Sequence, residues 1–122
     1  MNPEEDLYSI IEKIMQKDSR YAQEAYVFVL TALNYTMQKL KRKGHVTGQE
    51  LSEGIKQFAI KEYGRLSRTV FEHWGISTTE DFGNIVFNLI EERLLGKTDN
   101  DSIDDFKGIY DFKEVFEDKY PY

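Results

Sequence analysis

Apolar residues recur at helical spacing along most of this chain. Over residues 3–17, Leu7, Ile10, Ile11 and Ile14 share one face, Pro3 occupies the first turn, and Glu4, Glu5 and Asp6 complement the helix dipole. Residues 20–43 carry two apolar stripes, one of Ala22, Ala25, Val29, Leu33, Thr36 and Leu40, the other of Tyr21, Phe28, Ala32 and Tyr35. Two stripes mean neighbours on two sides, so this helix is expected at the centre of the fold. Thr47 and Glu50 form the signature of a capping box ahead of Leu51, Ile55, Phe58, Ala59 and Tyr63. A shorter helix is predicted over 65–74 with Leu66, Val70 and Trp74 inward. A longer one runs to about Leu95, opened by Ser77 and Glu80 and buried through Phe82, Ile85, Val86 and Leu89, with Phe87, Ile90 and Leu94 widening the stripe.

Glycine and proline punctuate this pattern. Proline occurs only at positions 3 and 121, which leaves the long stretch between free to be helical. Gly44, Gly64, Gly75 and Gly96 each follow an apolar-periodic segment, where a left-handed C-terminal cap is wanted. After Gly96 the character changes to a polar, turn-like KTDNDS and then an aromatic, loosely alternating run from Phe106 to Phe116. That run reads either as a strand returning against 95–98 or as a short helix around 111–118. The fold class is therefore mainly α, about five helices, with the last three segments forming a winged-helix-like unit closed by a short β-hairpin.

Composition narrows the picture. A chain of 122 residues, taken as a single domain over 1–122, can bury roughly two-thirds of its unfolded surface. It has no cysteine, hence no disulfide and no thiolate nucleophile, in keeping with a reducing cytoplasm. The opening MNPEEDLYSII is acidic where a signal peptide is basic. The most apolar stretch, residues 26–33, is far shorter than the roughly 20 residues that span a bilayer. A cytoplasmic protein away from the membrane is expected.

Charge is uneven. The net charge is −6, yet residues 39–68 hold eight bases and three acids, while residues 69–122 hold thirteen acids and five bases. A basic middle beside an acidic C-terminal half suits an anion-binding patch, or two faces that pair within or between protomers. The candidate nucleic-acid or anion-binding set is Lys39, Lys41, Arg42, Lys43, His45, Arg65 and Arg68, with Lys56 and Lys61 between them and Tyr35 and Tyr63 as stacking surfaces.

The stretch TVFEHWGISTTEDFGNIVFNLIEERLLGKT, residues 69–98, has the outline of a helix-turn-helix. In a DNA reader the second helix would enter the major groove. Its expected outer face is Asp81, Asn84, Asn88 and Glu91, flanked by Glu80 and Glu92. Asparagine can read adenine, but these carboxylates oppose phosphate, and the first cation is Arg93 near the helix end. DNA reading through this helix is not expected.

Candidate chemistry is sparse. His45 and His73 lie 28 positions apart without partners at ligand spacing, and His73 is expected partly buried beside Leu66 and Val70. Glu72 and His73 are helix neighbours that point apart. The loop from Asp99 fails as a calcium loop, with Asp104 where glycine belongs and Tyr110 where glutamate belongs. No catalytic residue, metal ligand or cofactor is assigned. The aromatic set Phe106, Tyr110, Phe112 and Phe116 is assigned as a protein interface.

Four stretches, EAYVFVLTALNYT, HVTGQEL, TVFEHWGISTTEDFGNIVFNLIE and IYDFKEVF, covering roughly residues 20–116, resemble a family of small uncharacterised bacterial proteins, the Minf-type family. The resemblance implies a short single-domain bacterial protein and carries no activity, cofactor or catalytic residue. The function expected from the residues is a non-catalytic cytosolic interaction or regulatory protein that self-associates. The alternative is a nucleic-acid-binding protein working through residues 39–68.

Overall fold

The computed structural model describes residues 3–42, 44–96 and 102–118. Among them five α-helices follow in order: α1 (Pro3–Lys17), α2 (Gln23–Leu40), α3 (Gly48–Tyr63), α4 (Ser67–His73) and α5 (Thr79–Glu91). A 3₁₀ turn, Gly64–Leu66, joins α3 to α4; a second, Ile103–Phe106, and a π-type turn, Glu114–Asp118, make up the C-terminal strap.

The central position expected for α2 holds: α1, α3 and α5 all pack on it. Its buried residues, Ala25, Tyr26, Phe28, Val29, Ala32 and Thr36, wrap around more than one face. The α2–α3 approach is close because Gly54 presents no side chain; a Cβ there would lie 1.8 Å from Thr36 Oγ1. Thr36 is satisfied within its own helix, donating to Ala32 O at 2.7 Å. Phe71 of α4 sits at the middle of the core, its ring centroid 5.5–5.6 Å from those of Phe28, Phe82, Phe112 and Phe116.

Helix starts and stops follow local chemistry. Thr47 and Glu50 form the expected box at α3, with Glu50 N donating to Thr47 Oγ1 at 3.0 Å and Thr47 N to Glu50 Oε1 at 2.9 Å. At α5 the anchor is one residue later than expected. Asp81 Oδ2 accepts from Ser77 N and Thr78 N, so Thr78 and Asp81 replace Ser77 and Glu80. Gly75 closes α4 in the left-handed conformation, with its N–H donating to Glu72 O and that of Ile76 to Phe71 O. The other two long helices stop earlier than the glycines suggest. Lys41 ends α2 and Arg93 ends α5, both at positive φ, each followed by an N–H that reaches back five residues. Gly44 and Gly96 therefore lie beyond the caps they were expected to supply.

The expected wing is corrected. Among the described residues there is no strand, and 102–118 forms helical turns. The spacing of the aromatic positions does not choose between the two, because Phe106, Phe112 and Phe116 stand at even separations and would share a face in a strand as well. In the fold all three rings enter one core from helical turns. The strap is pinned to the helices by polar contacts. Thr79 Oγ1 donates to Phe106 O at 2.6 Å and accepts from Ile109 N at 3.2 Å; Tyr110 Oη donates to Ser52 O at 2.6 Å; and Arg68 grips Glu117.

Two inward assignments around α4 also change. The 3₁₀ turn at 64–66 has three residues per turn, which alters the phase ahead of α4. Ser67 and Phe71 become the buried pair, and Leu66 is 65% exposed. His73 is exposed as well, on the side away from Phe71.

Candidate functional site

Most of the α5 face that a recognition helix would offer to DNA is turned to the α1–α2 corner, where Asp81, Asn84 and Asn88 are half-buried; Glu91 is exposed as expected. Tyr21, in the α1–α2 connection, donates to Asp81 Oδ1 at 2.5 Å and accepts from Asn84 Nδ2 at 3.0 Å. Asn88 Nδ2 lies 2.9 Å from Asp18 Oδ2 and 3.1 Å from Tyr26 Oη. Glu92 takes Lys17 at 3.0 Å and Lys13 at 3.4 Å. Asp81, Asn84 and Asn88 were expected outward and instead tie α5 to the α1–α2 corner. The correction has a simple origin. A polar residue at helical spacing reads as solvent-facing unless buried hydroxyls, here Tyr21 and Tyr26, are waiting for it.

This seam is a structural polar network. Arg20 grips Asp18 at 2.7 Å and, with help from Asn88, holds its carboxyl well below the usual carboxylate range, against the opposing effect of burial. Burial pushes the phenols of Tyr21 and Tyr26 up, and the Asp81 carboxylate pushes Tyr21 further. Phenols kept neutral beside an Asp18 carboxylate kept charged suit a fixed donor–acceptor pattern.

The basic segment does not assemble into one patch. Lys39, Lys41 and Arg42 lie at the C-terminal end of α2, while Arg65 and Arg68 follow the far end of α3, a 16-residue helix about 24 Å long. His45 is exposed in the α2–α3 connection, and Lys43 lies outside the described residues. Arg42 is paired with Glu50 at 2.8 Å, and Arg68 with both Glu72 and Glu117. Glu50, already a cap acceptor for Thr47, is held below the ordinary carboxylate range by that backbone bond and then by Arg42. Lys39 and Lys61 both reach over the Tyr35 ring, at 5.8 and 5.7 Å from its centroid.

The aromatic set assigned to an interface is core. Phe106, Phe112 and Phe116 are buried, and Tyr110 turns its hydroxyl inward to Ser52 O, its phenol pushed well up by burial. The calcium-like loop at 99–101 lies outside the described residues. Among the described residues, no group of three or more acidic or histidine side chains is placed to hold a metal ion.

A different aromatic surface emerges between α2 and α3. Trp74, Tyr63, Phe28, Phe58 and Tyr35 form a ladder with successive centroid separations of 5.9, 5.9, 5.4 and 5.2 Å. Phe28 is the buried rung; Trp74, Tyr63, Phe58 and Tyr35 are half-buried, and Tyr8 of α1 adds an exposed ring beside them. A shallow groove runs here, with Tyr8, Val27, Phe58, Tyr63 and Trp74 on its walls and Glu24 and Glu62 at its rim. Along α2, Glu24, Phe28, Thr31, Tyr35 and Lys39 fall at helical spacing on one side, so the ladder has an acid at one end and a cation at the other. Phe28 and Tyr35 are legible in the sequence as the second stripe of α2. Tyr63 reads there as an inward residue and, beside the basic segment, as a stacking surface; Trp74 reads only as an inward residue of its own helix.

Comparisons of the chain with protein-family models, with curated proteins and with solved structures give no match. Among the described residues, no helix is long and apolar enough to cross a membrane.

Proposed function

We propose that this chain is a non-catalytic interaction protein whose first partner is a second copy of itself, bound through the α2–α3 aromatic face. The observation that carries the reading is the ladder from Trp74 to Tyr35 with Glu24 and Lys39 at opposite ends of one side of α2, about 22 Å apart. Aromatic side chains with one face still open are the residues that anchor interfaces. The charge order fits a two-fold arrangement. Laying a second copy antiparallel on this face sets Glu24 of each against Lys39 of the other, twice in one interface, as an isologous dimer requires. Complementary rim charges then fix register more than affinity.

Charge reversal tests this by sedimentation velocity over micromolar concentrations. Glu24→Lys sets two like-charge pairs against each other and should weaken self-association by about tenfold or more. Combining Glu24→Lys with Lys39→Glu should restore it. A chain that stays monomeric at every concentration, or a double variant no better than the single, contradicts the reading.

One observation favours the alternative of nucleic-acid binding through residues 39–68, namely Lys39 and Lys61 on the Tyr35 ring, a cation–aromatic arrangement that suits a stacked base. It predicts single-stranded RNA binding that falls by orders of magnitude between about 50 and 200 mM salt. Binding should also be lost in the Lys41, Arg42, Lys43 triple alanine variant; unaltered affinity there would exclude it.

A further inference from the structure

A second concavity lies at the opposite end of α2 from Glu24, and it differs in kind from the aromatic face. It is a cavity of about 500 Å³, well within the roughly 300–1,000 Å³ typical of small-molecule sites. Leu33 and Met37 of α2, Val46 of the α2–α3 connection, Leu51 of α3, and Val86 and Ile90 of α5 form its walls. Among the described residues, the polar side chains on its wall are those of His45, Ser102 and Asp105. Asp105 is held in place by accepting from Ser102 N at 3.1 Å, with Ser102 Oγ accepting in turn from Asp104 N. The turn carrying these groups closes tightly on the start of α3, where a Cβ at Gly48 would lie 2.8 Å from Asp105 Cβ.

We propose that this cavity binds one small uncharged amphiphile, an alkyl alcohol or amide, with its apolar body against Met37, Leu51 and Ile90 and its hydrogen-bonding end toward His45, Ser102 and Asp105. Apolar walls contributed by three helices favour an apolar body. A hydroxyl or amide can both donate to the Asp105 carboxylate and accept from Ser102. A carboxylate headgroup would meet Asp105 as a like charge. The volume suits a single chain and is far too small for a docked helix.

The test uses N-phenyl-1-naphthylamine, an uncharged dye that brightens on entering an apolar site, with the full-length protein. Saturable binding at one dye per chain is expected, displaced by dodecanol and at least tenfold less well by dodecanoate. Met37→Trp and Ile90→Trp, which enlarge half-buried wall residues, should each abolish binding while circular dichroism and the thermal midpoint confirm folding. Tyr8→Ala, on the aromatic face, should leave binding unchanged. Absence of saturable binding overturns the site, as does binding that survives both folded wall variants or is lost in Tyr8→Ala. Displacement by dodecanoate as efficient as by dodecanol overturns the uncharged assignment.

Discussion

At Gly75 two independent constraints meet in one residue. Its φ of 86° is left-handed, and a Cβ built there would lie 2.0 Å from Arg20 O. Gly75→Ala should therefore cost more than about 2 kcal/mol in urea unfolding, well beyond the penalty of left-handed backbone alone. Lys41 and Arg93 are the converse case, side-chain-bearing residues in left-handed caps at φ of 53° and 62°. Lys41→Gly should raise stability by about 0.5 kcal/mol, since relief of the left-handed strain slightly outweighs the entropy of glycine.

Titration belongs to the same scale. Asp18 has a folded pKa lowered chiefly by the Arg20 hydrogen bond, so its contribution is fully present above the ordinary carboxylate value of about 4 and fades as pH falls further. Asp18→Asn should be less stable than the parent at pH 7, and the gap should narrow between pH 4 and pH 2. Tyr21, Tyr26 and Tyr110 have folded pKa values raised mainly by burial, so their contribution is complete below about pH 10 and is lost above it. The check is an alkaline titration of the eight tyrosines followed at 295 nm beside the helical signal. The buried phenols should ionise only as the helical signal collapses. Ionisation of all eight with helicity intact would contradict the burial described.

At the scale of elements, the strap decides whether the helices hold together. Phe116 is fully buried against Phe71, and Phe112 lies 5.6 Å from Phe82, so residues 106–116 complete a core that α4 and α5 leave open. Phe116→Ala should cost about 3–5 kcal/mol in chemical denaturation. A loss under about 1 kcal/mol would mean the strap is peripheral. The helices themselves were legible in sequence: α1 in full, α2 as the central element, and the Thr47 cap of α3. What misled was context. Aromatics at 106, 110, 112 and 116 would share one face of a strand, so their spacing alone does not reveal the helical turns they occupy. Asn84 and Asn88 resemble a solvent face until Tyr21 and Tyr26 are placed beneath them. Period reports which residues share a side, and the partner that side meets comes from elements far away in sequence. The candidate surface was legible in part, through Phe28 and Tyr35 on α2 and Tyr63 as a stacking ring. The rest arrives from α3 and the end of α4.

At the scale of the whole molecule, several opposed charges are joined within the protomer: Lys13 and Lys17 to Glu92, Arg42 to Glu50, Arg68 to Glu72 and Glu117. Those pairs are mostly exposed and contribute little each to stability. Their consequence is to divide the basic middle into separate pieces and to leave the α2–α3 face as the surface on which aromatic rings and opposed end charges coincide. Trp74, the single tryptophan of the chain, lines that face. The most direct measurement is therefore its fluorescence as the protein is concentrated from nanomolar to tens of micromolar, with iodide as quencher. If the face closes on a second copy, emission should shift to the blue and quenching should fall along a saturating curve, with Glu24→Lys moving that curve to higher concentration. Emission and quenching that stay constant over the whole range would contradict the account.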